Sequence, residues 1–287
     1  MSQPLVIIVT GANRGIGRAI CEQILSRPNS PPLQLFATSR KGEDLNLDAG
    51  GGAKGEIVYP KLDISSRESI AALRDRIESE TDGHVSVLVN NAGVNLDAPG
   101  SYGPENAKKT LDVNFRGTVE MCQAFLPFLS RAGNQGGGRI VNLASVASSI
   151  KAYSPEIQAR IRDASDLKEL EQLAREFESS VSTSTEQSTG FGPPGRSYSV
   201  SKALLRSATN LLARQNPSLL INSCCPGWIS TDMGKLVGSR PPKTPQQGAQ
   251  IPVRLAVDGD FNGVSGAYFA NDSVRSKERG RVQEWDA

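Results

Sequence analysis

The chain has 287 residues, 38% of them hydrophobic and 22% charged, with a formal net charge of +2 and a single histidine, His84. That length is enough to bury one substantial core, and the balance excludes both the charge excess of a disordered chain and the long apolar run of a membrane span. So small a charge, with Lys and Arg scattered along the chain, provides no field to draw in a nucleic-acid backbone, so neither nucleic acid nor membrane is an expected partner.

Met1 to Pro4 has no charged start or cleavage pattern, and Glu284-Trp285-Asp286-Ala287 matches no retention or peroxisomal address, so a cytoplasmic protein is expected. β-branched, apolar runs at Leu5 to Thr10, Leu33 to Ser39, Glu56 to Lys61, Val85 to Asn90, Arg139 to Leu143 and Leu219 to Cys224 read as strands, with another near Gly266 to Ala270. Between the first two, Ile16, Ala19, Ile20, Gln23 and Ile24 fall at helical spacing, and the prolines at 28, 31 and 32 end that helix in a turn. Ser66 to Glu80 carries Ile70, Leu73 and Ile77 on one face, a second crossover helix. This alternation predicts a single α/β domain, residues 1–287, built as a Rossmann-type doubly wound parallel sheet of about seven strands with helices on both faces.

Two regions break the rhythm. Lys41 to Gly55 is polar and rich in glycine, so a loop is expected in place of a crossover helix. A helical insertion is expected at about 150–195: Ser154-Pro155-Glu156 reads as a helix start, and Leu167, Leu170, Leu173, Ala174 and Phe177 as an amphipathic helix. Its Ser/Thr-rich part, Ser179 to Gly190, is expected to be a mobile loop.

The segment Gly11-Ala12-Asn13-Arg14-Gly15-Ile16-Gly17 follows the first strand and opens the first helix. Gly11 permits a tight turn, Gly15 a close backbone approach to a pyrophosphate, and Gly17 close packing of helix on strand. The helix start presents unpaired amides and a positive dipole to phosphate, so a dinucleotide site is expected. An acid at the end of the second strand would select NAD, whereas Ser39-Arg40-Lys41 stands there with Arg14 nearby, and two guanidinium groups favour NADPH/NADP+. The alternative is that both arginines are ordinary solvated side chains.

The cysteines Cys21, Cys122, Cys224 and Cys225 lack metal-ligand spacing and read as buried free thiols, so no metal site is expected. Taken together, GxxxGxG at Gly11 to Gly17, Asn90-Asn91-Ala92-Gly93, Ser145 and Tyr198-Ser199-Val200-Ser201-Lys202 resemble the classical short-chain dehydrogenase/reductases. The long insertion, the run Cys224 to Met233 and Thr244-Pro245-Gln246-Gln247-Gly248-Ala249 are similar to the monomeric carbonyl reductases of that family.

The resemblance implies that Asp63 and Ile64 flank the adenine, that Asn90 to Gly93, among them Ala92, line the adenosine ribose side, and that Pro226, Gly227, Ile229 and Thr231 surround the nicotinamide and diphosphate. It also implies that Asn114, beside Val113, helps hold a water leading to the lysine, and that Tyr198 and Lys202 touch the cofactor as well as acting in catalysis.

Reduction of a carbonyl leaves an alkoxide-like oxygen that needs a proton, and a phenol with pKa near ~10 delivers one when a cation stabilises its anion. Tyr198 and Lys202, four residues apart, share one helix face, while the Ser145 hydroxyl polarises the substrate oxygen. No GxSxG turn surrounds Ser145 and His84 is badly placed in sequence, which argues against a serine nucleophile. With that chemistry, the resemblance implies reduction of a small-molecule ketone, aldehyde or quinone by NADPH, and a monomer whose insertion covers the helices through which most of the family dimerise. A reductase with one preferred substrate and a non-catalytic NADP sensor are the alternatives; an intact Ser145, Tyr198 and Lys202 speaks against the sensor.

Overall fold

The β-branched, aliphatic runs form strands β1 (Leu5–Val9), β2 (Leu33–Ala37), β3 (Gly55–Val58), β4 (Val87–Asn90), β5 (Arg139–Leu143), β6 (Leu220–Cys224) and β7 (Tyr268–Ala270), and a short polar segment adds β8 (Arg281–Gln283). Helices α1 (Gly15–Leu25), α2 (Arg67–Thr81), α3 (Pro104–Leu111), α4 (Thr118–Ser130), α5 (Pro155–Arg162), α6 (Leu167–Thr183), α7 (Ser197–Gln215), α8 (Asp232–Lys235) and α9 (Pro245–Val257) lie between them. A π-helical turn, Asp112–Gly117, joins α3 to α4. The structure is a computed structural model describing residues 4–27, 32–48, 55–98, 100–131, 137–238, 240–258 and 263–285.

The strands make one sheet in the order β3-β2-β1-β4-β5-β6-β7-β8. β1 to β7 run parallel, and β8 closes the edge antiparallel to β7. Strand order reverses between β1 and β4, and open α/β sheets bind ligands at such a reversal, beyond the strands' C-terminal ends.

Because side chains alternate along a strand, the sheet buries both faces. Ile7 and Val9 of β1 face α1 and α9, packing with Ile20, Ile24, Ile251 and Leu255. Val6 and Ile8 face the other way, toward Ile70 and Leu73 of α2, Phe125 of α4 and Leu212 of α7. Outside that layer the insertion sets Ile157, Ile161, Leu170, Leu173 and Phe177 against Leu111 of α3 and Val200 and Leu204 of α7. Ser154 Oγ accepts from the Ile157 N–H at 3.3 Å with Pro155 in the first helical position, so α5 starts where the sequence places it.

Two expectations need correction. Ser179 to Gly190 is not a loose loop. α6 continues to Thr183 because its hydroxyls bond back to the helix, Ser182 to Glu178 O at 2.9 Å and Thr183 to Ser179 O at 3.0 Å. Ser184 ends it in the left-handed region (φ 56°), and the following turn buries Glu186, whose carboxylate accepts from Tyr102 OH at 2.7 Å. The second correction is β8, an eighth strand of only three residues with its first two exposed, which has no hydrophobic pattern to announce it.

Residues 41–48 run without helix, as expected, with Leu45 and Leu47 folded into the core; the glycine run at 50–52 and residues 29–31 of the expected turn Asn29 to Pro32 lie outside the described residues. Among the described residues no helix is long and apolar enough to cross a membrane.

Candidate active site

The glycine turn is shaped by backbone demands. Gly11 (φ 66°) and Gly15 (φ 56°) occupy the left-handed region, and a Cβ on Gly17 would lie 2.3 Å from Gly11 O. Asn91 Nδ2 clamps the turn by donating to Thr10 O at 2.9 Å and Gly11 O at 3.1 Å, while Thr10 Oγ1 accepts from the Asn91 and Ala92 N–H groups, both at 3.0 Å. α1 begins with no side-chain cap and no acid in its first turn, so its free amides and positive end face outward with Asn13 and Arg14 exposed beside them. Those features fit a dinucleotide diphosphate.

The side chain of Asn90 goes elsewhere. Its Nδ2 donates to Asn142 Oδ1 at 2.9 Å inside the core, so only its main chain remains for a cofactor. Asn91, within the same motif, instead turns its side chain to the glycine turn, a role the motif does not announce.

The C-terminal ends of β2 and β3 are stitched together by Ser39 N–H to Pro60 O (3.2 Å) and Leu62 N–H to Ser39 O (2.7 Å). This brings Arg40, exposed and in no ion pair among the described residues, close enough to Asp63 to favour its charged form. Hydrogen bonds from Ser65 are the larger cause, its Oγ donating at 2.6 Å and its N–H at 2.9 Å, and they hold the Asp63 carboxyl below its ordinary range. Ile64 packs into the core, with its carbonyl hard against Gly117 of the π-turn. Arg14, in contrast with Arg40, reaches across to Asp232 at 2.5 Å, an exposed pair that is easily exchanged for another anion.

On the opposite wall, Gly227 takes φ +95°, with Val274 O only 2.8 Å from where a Cβ would stand. Pro226 O accepts from Nζ of the buried Lys243 at 2.8 Å, an anchor that sequence reading did not single out. Ile229 turns its side chain onto Gly248 and is buried. Thr231 Oγ1 accepts from the Gly234 N–H at 3.1 Å, and its methyl lies 3.1 Å from the position of a Gly15 Cβ, so this segment faces the glycine turn directly.

Four polar residues meet between these walls. Ser145 follows β5 in extended conformation and its Oγ accepts from the Ala147 N–H at 3.1 Å. Tyr198, half-buried on α7, has its phenol pushed up to about 12 by burial, opposed by a hydrogen bond with Ser145. Lys202 Nζ lies 5.7 Å from the Tyr198 ring centre and donates to Leu143 O at 2.6 Å. Its side chain is buried, which lowers its pKa to about 8.

Asn114 is presented by the π-turn, next to Val113. Its Oδ1 accepts from the Val94 N–H at 2.8 Å, and its Nδ2 donates to Val94 O at 2.8 Å and Ser201 Oγ at 3.0 Å. A Cβ on Gly93 would stand 3.1 Å from Asn114 Oδ1 and 3.6 Å from Lys202 Nζ, so glycine there keeps the three groups together. His84 precedes β4 while Ser145 follows the parallel neighbour β5, which puts them at opposite ends of the sheet and leaves no partner for a serine nucleophile. All four cysteines are free and buried.

Known proteins resemble this chain in sequence and in fold. The short chain dehydrogenase family model matches residues 5–155. Carbonyl reductase (NADPH) 1 of Bos taurus is 32% identical over 286 residues, covering 95% of this chain and 98% of that one. Carbonyl reductase (NADPH) 3 of Rattus norvegicus is 35% identical over 266 residues, covering 88% of this chain and 90% of that one. Salutaridine reductase from Papaver somniferum superposes with a TM-score of 0.77 at 25% identity, covering 94% of this chain and 100% of that one. With the glycine turn, the serine and the tyrosine–lysine helix set on a parallel sheet, the chain belongs to the short-chain dehydrogenase/reductase family.

Proposed function

We propose that this protein is an NADPH-dependent carbonyl reductase that delivers a hydride to a ketone, aldehyde or quinone, with Tyr198 as the proton donor. The observation that carries this reading is the convergence of Ser145, Tyr198, Lys202 and Asn114 beside the glycine turn, at the sheet edge where the strand order reverses. NADPH, when bound, supplies the hydride.

Gly11 to Gly17 and the open start of α1 hold the diphosphate, and Arg40 holds the extra phosphate, joined by Arg14 once it leaves Asp232. Asp63 and Ile64 border the adenine; the main chain of Asn90 to Gly93 borders its ribose. Pro226, Gly227, Ile229 and Thr231 wall the nicotinamide side, Ile229 through its main chain.

The chemistry follows from proton affinities. A phenol raised to about 12 keeps its proton at neutral pH until charge develops on the substrate oxygen, so Tyr198 donates on demand. Lys202, anchored on Leu143 O, places a positive charge where the phenolate forms. Ser145 donates to the same substrate oxygen, and Asn114 holds Val94 and Ser201 so that the lysine's surroundings stay fixed.

The insertion lies over α3 and α7, which supports a monomer. Steady-state NADPH oxidation against a varied carbonyl panel, with NADH as control, tests the reading. Turnover of several carbonyls with NADPH preferred is expected; no turnover of any carbonyl with either cofactor would overturn it, and one strongly preferred ketone would mark a dedicated enzyme instead.

A further inference from the structure

Helix α7 carries both the proton donor and its lysine, yet it begins without a cap of its own: Arg196 precedes it and makes no side-chain capping hydrogen bond. The first N–H groups of a helix need acceptors from outside. The Tyr198 N–H finds one in Asp97, whose Oδ2 accepts it at 2.8 Å from the loop that follows β4.

That loop is itself tied to the site. Val94 is gripped through both its N–H and its carbonyl by the Asn114 amide, each at 2.8 Å, and the Asp97 N–H donates to Asn95 Oδ1 at 3.1 Å. Residues 93–97 therefore run as a short strap from the π-turn to the first turn of α7.

Several buried polar atoms lie along this contact without hydrogen-bond partners: Asp97 Oδ1, Tyr153 OH, Arg196 Nε and Ser197 Oγ. Tyr153 senses the charges of both Arg196 and Asp97, which places the three in one neighbourhood. Asp97 nevertheless forms no ion pair among the described residues. Buried polar atoms are paired in the great majority of cases, so an acid left half-satisfied in this neighbourhood is poorly explained by stability alone. Its engaged oxygen goes to the backbone of the catalytic tyrosine.

We propose that Asp97 is a positioning residue for the proton donor: its carboxylate caps α7 from the β4 loop and fixes the first helical turn, so that the Tyr198 phenol stays aligned with Ser145 and Lys202. This rests on the reading of Tyr198 as proton donor, and the test separates the two. Wild type, Asp97→Ala, Asp97→Asn, Tyr198→Phe and the double variant Asp97→Ala with Tyr198→Phe are compared at saturating NADPH and carbonyl.

Asp97→Ala is expected to lower kcat about tenfold through misalignment while the KM for NADPH stays within about twofold. Asp97→Asn keeps an acceptor oxygen and is expected to recover most of the rate. In the Tyr198→Phe background, Asp97→Ala is expected to change the residual rate by less than about twofold, because its effect passes through the missing hydroxyl. Should the alanine variant fail to fold, Asp97→Ser, a weaker acceptor, is expected to give an intermediate kcat in the same comparison. Full kcat in Asp97→Ala alongside an inactive Tyr198→Phe would overturn the positioning role only, as would equal losses in both backgrounds. Undiminished turnover by Tyr198→Phe would overturn the parent reading and the role of Asp97 with it.

Discussion

Two side chains with opposed shifts form the core of the proposed chemistry: the half-buried Tyr198, its phenol pushed up to about 12, and the buried Lys202, pulled down to about 8, each chiefly by desolvation. Removing the phenol oxygen in Tyr198→Phe is expected to lower kcat by about 100-fold or more while NADPH binding, followed by its fluorescence, is retained. The lysine is cationic below its pKa and neutral above it, so its help to the phenolate is present at neutral pH and lost as pH rises through about 8. A pH profile of kcat for reduction should therefore fall on its alkaline side with an apparent value near 8 that belongs to the pair. A flat profile up to about pH 10 would be inconsistent with that coupling. Arg40→Asp is expected to weaken NADPH by about 1–3 kcal/mol and NADH far less; isothermal titration of both distinguishes this from a solvated arginine, which would weaken neither. Asn90 illustrates what a motif hides. It shares the strand face of Leu88 in β4, so the period of two turns its amide into the α4 and α7 side of the core, and Asn91 takes over the clamp on the glycine turn. Asp97 had no local signature, because its role is created by a contact with a residue 101 positions away.

Among the elements, the π-turn and the insertion are coupled through one side chain. Arg116 donates to Asp112 at 2.8 Å and Glu171 at 2.9 Å, and to both carboxylate oxygens of Glu178 at 2.6 and 3.2 Å, joining the turn that presents Asn114 to α6. With Arg116 a quarter exposed, solvent screening moderates the effect, and Arg116→Ala is expected to destabilise the fold by about 1–3 kcal/mol by leaving three carboxylates facing one another. Urea unfolding checks this, and a midpoint equal to wild type would show that the network contributes nothing. The start of α5 and the apolar stripe of α6 were legible from a Ser-Pro pair and helical spacing. The end of α6 was not, because serine and threonine signal a loop by composition, whereas here their hydroxyls return to the helix backbone and Tyr102 anchors Glu186 beyond it. The π-turn also escaped notice, since its extra residue leaves the pattern of Leu111, Phe115 and Val119 looking like ordinary helix.

At the scale of the molecule, the parallel strands could be read from their apolar runs because the inner ones are buried on both faces, which demands β-branched and aliphatic residues at most positions, while the edge strand β3 keeps only Ile57 and Val58 of that signal. β8 could not, since an edge strand of mostly exposed side chains is set by its partner and not by its own sequence. The insertion's apolar residues are used internally against α3 and α7, so sedimentation velocity at micromolar protein should give a single species of about 30.6 kDa. A stable dimer would mean that another face serves assembly. The central claim is hydride transfer paired with proton donation from Tyr198, and the most direct measurement follows the hydride itself: NADPH dideuterated at C4 of its nicotinamide ring is turned over with a reducible carbonyl, and the alcohol is weighed by mass spectrometry. One deuterium on the carbinol carbon with wild type, and loss of that product with Tyr198→Phe, is expected. NADPH consumed without deuterium reaching the alcohol, or labelled product formed equally well by Tyr198→Phe, would contradict it.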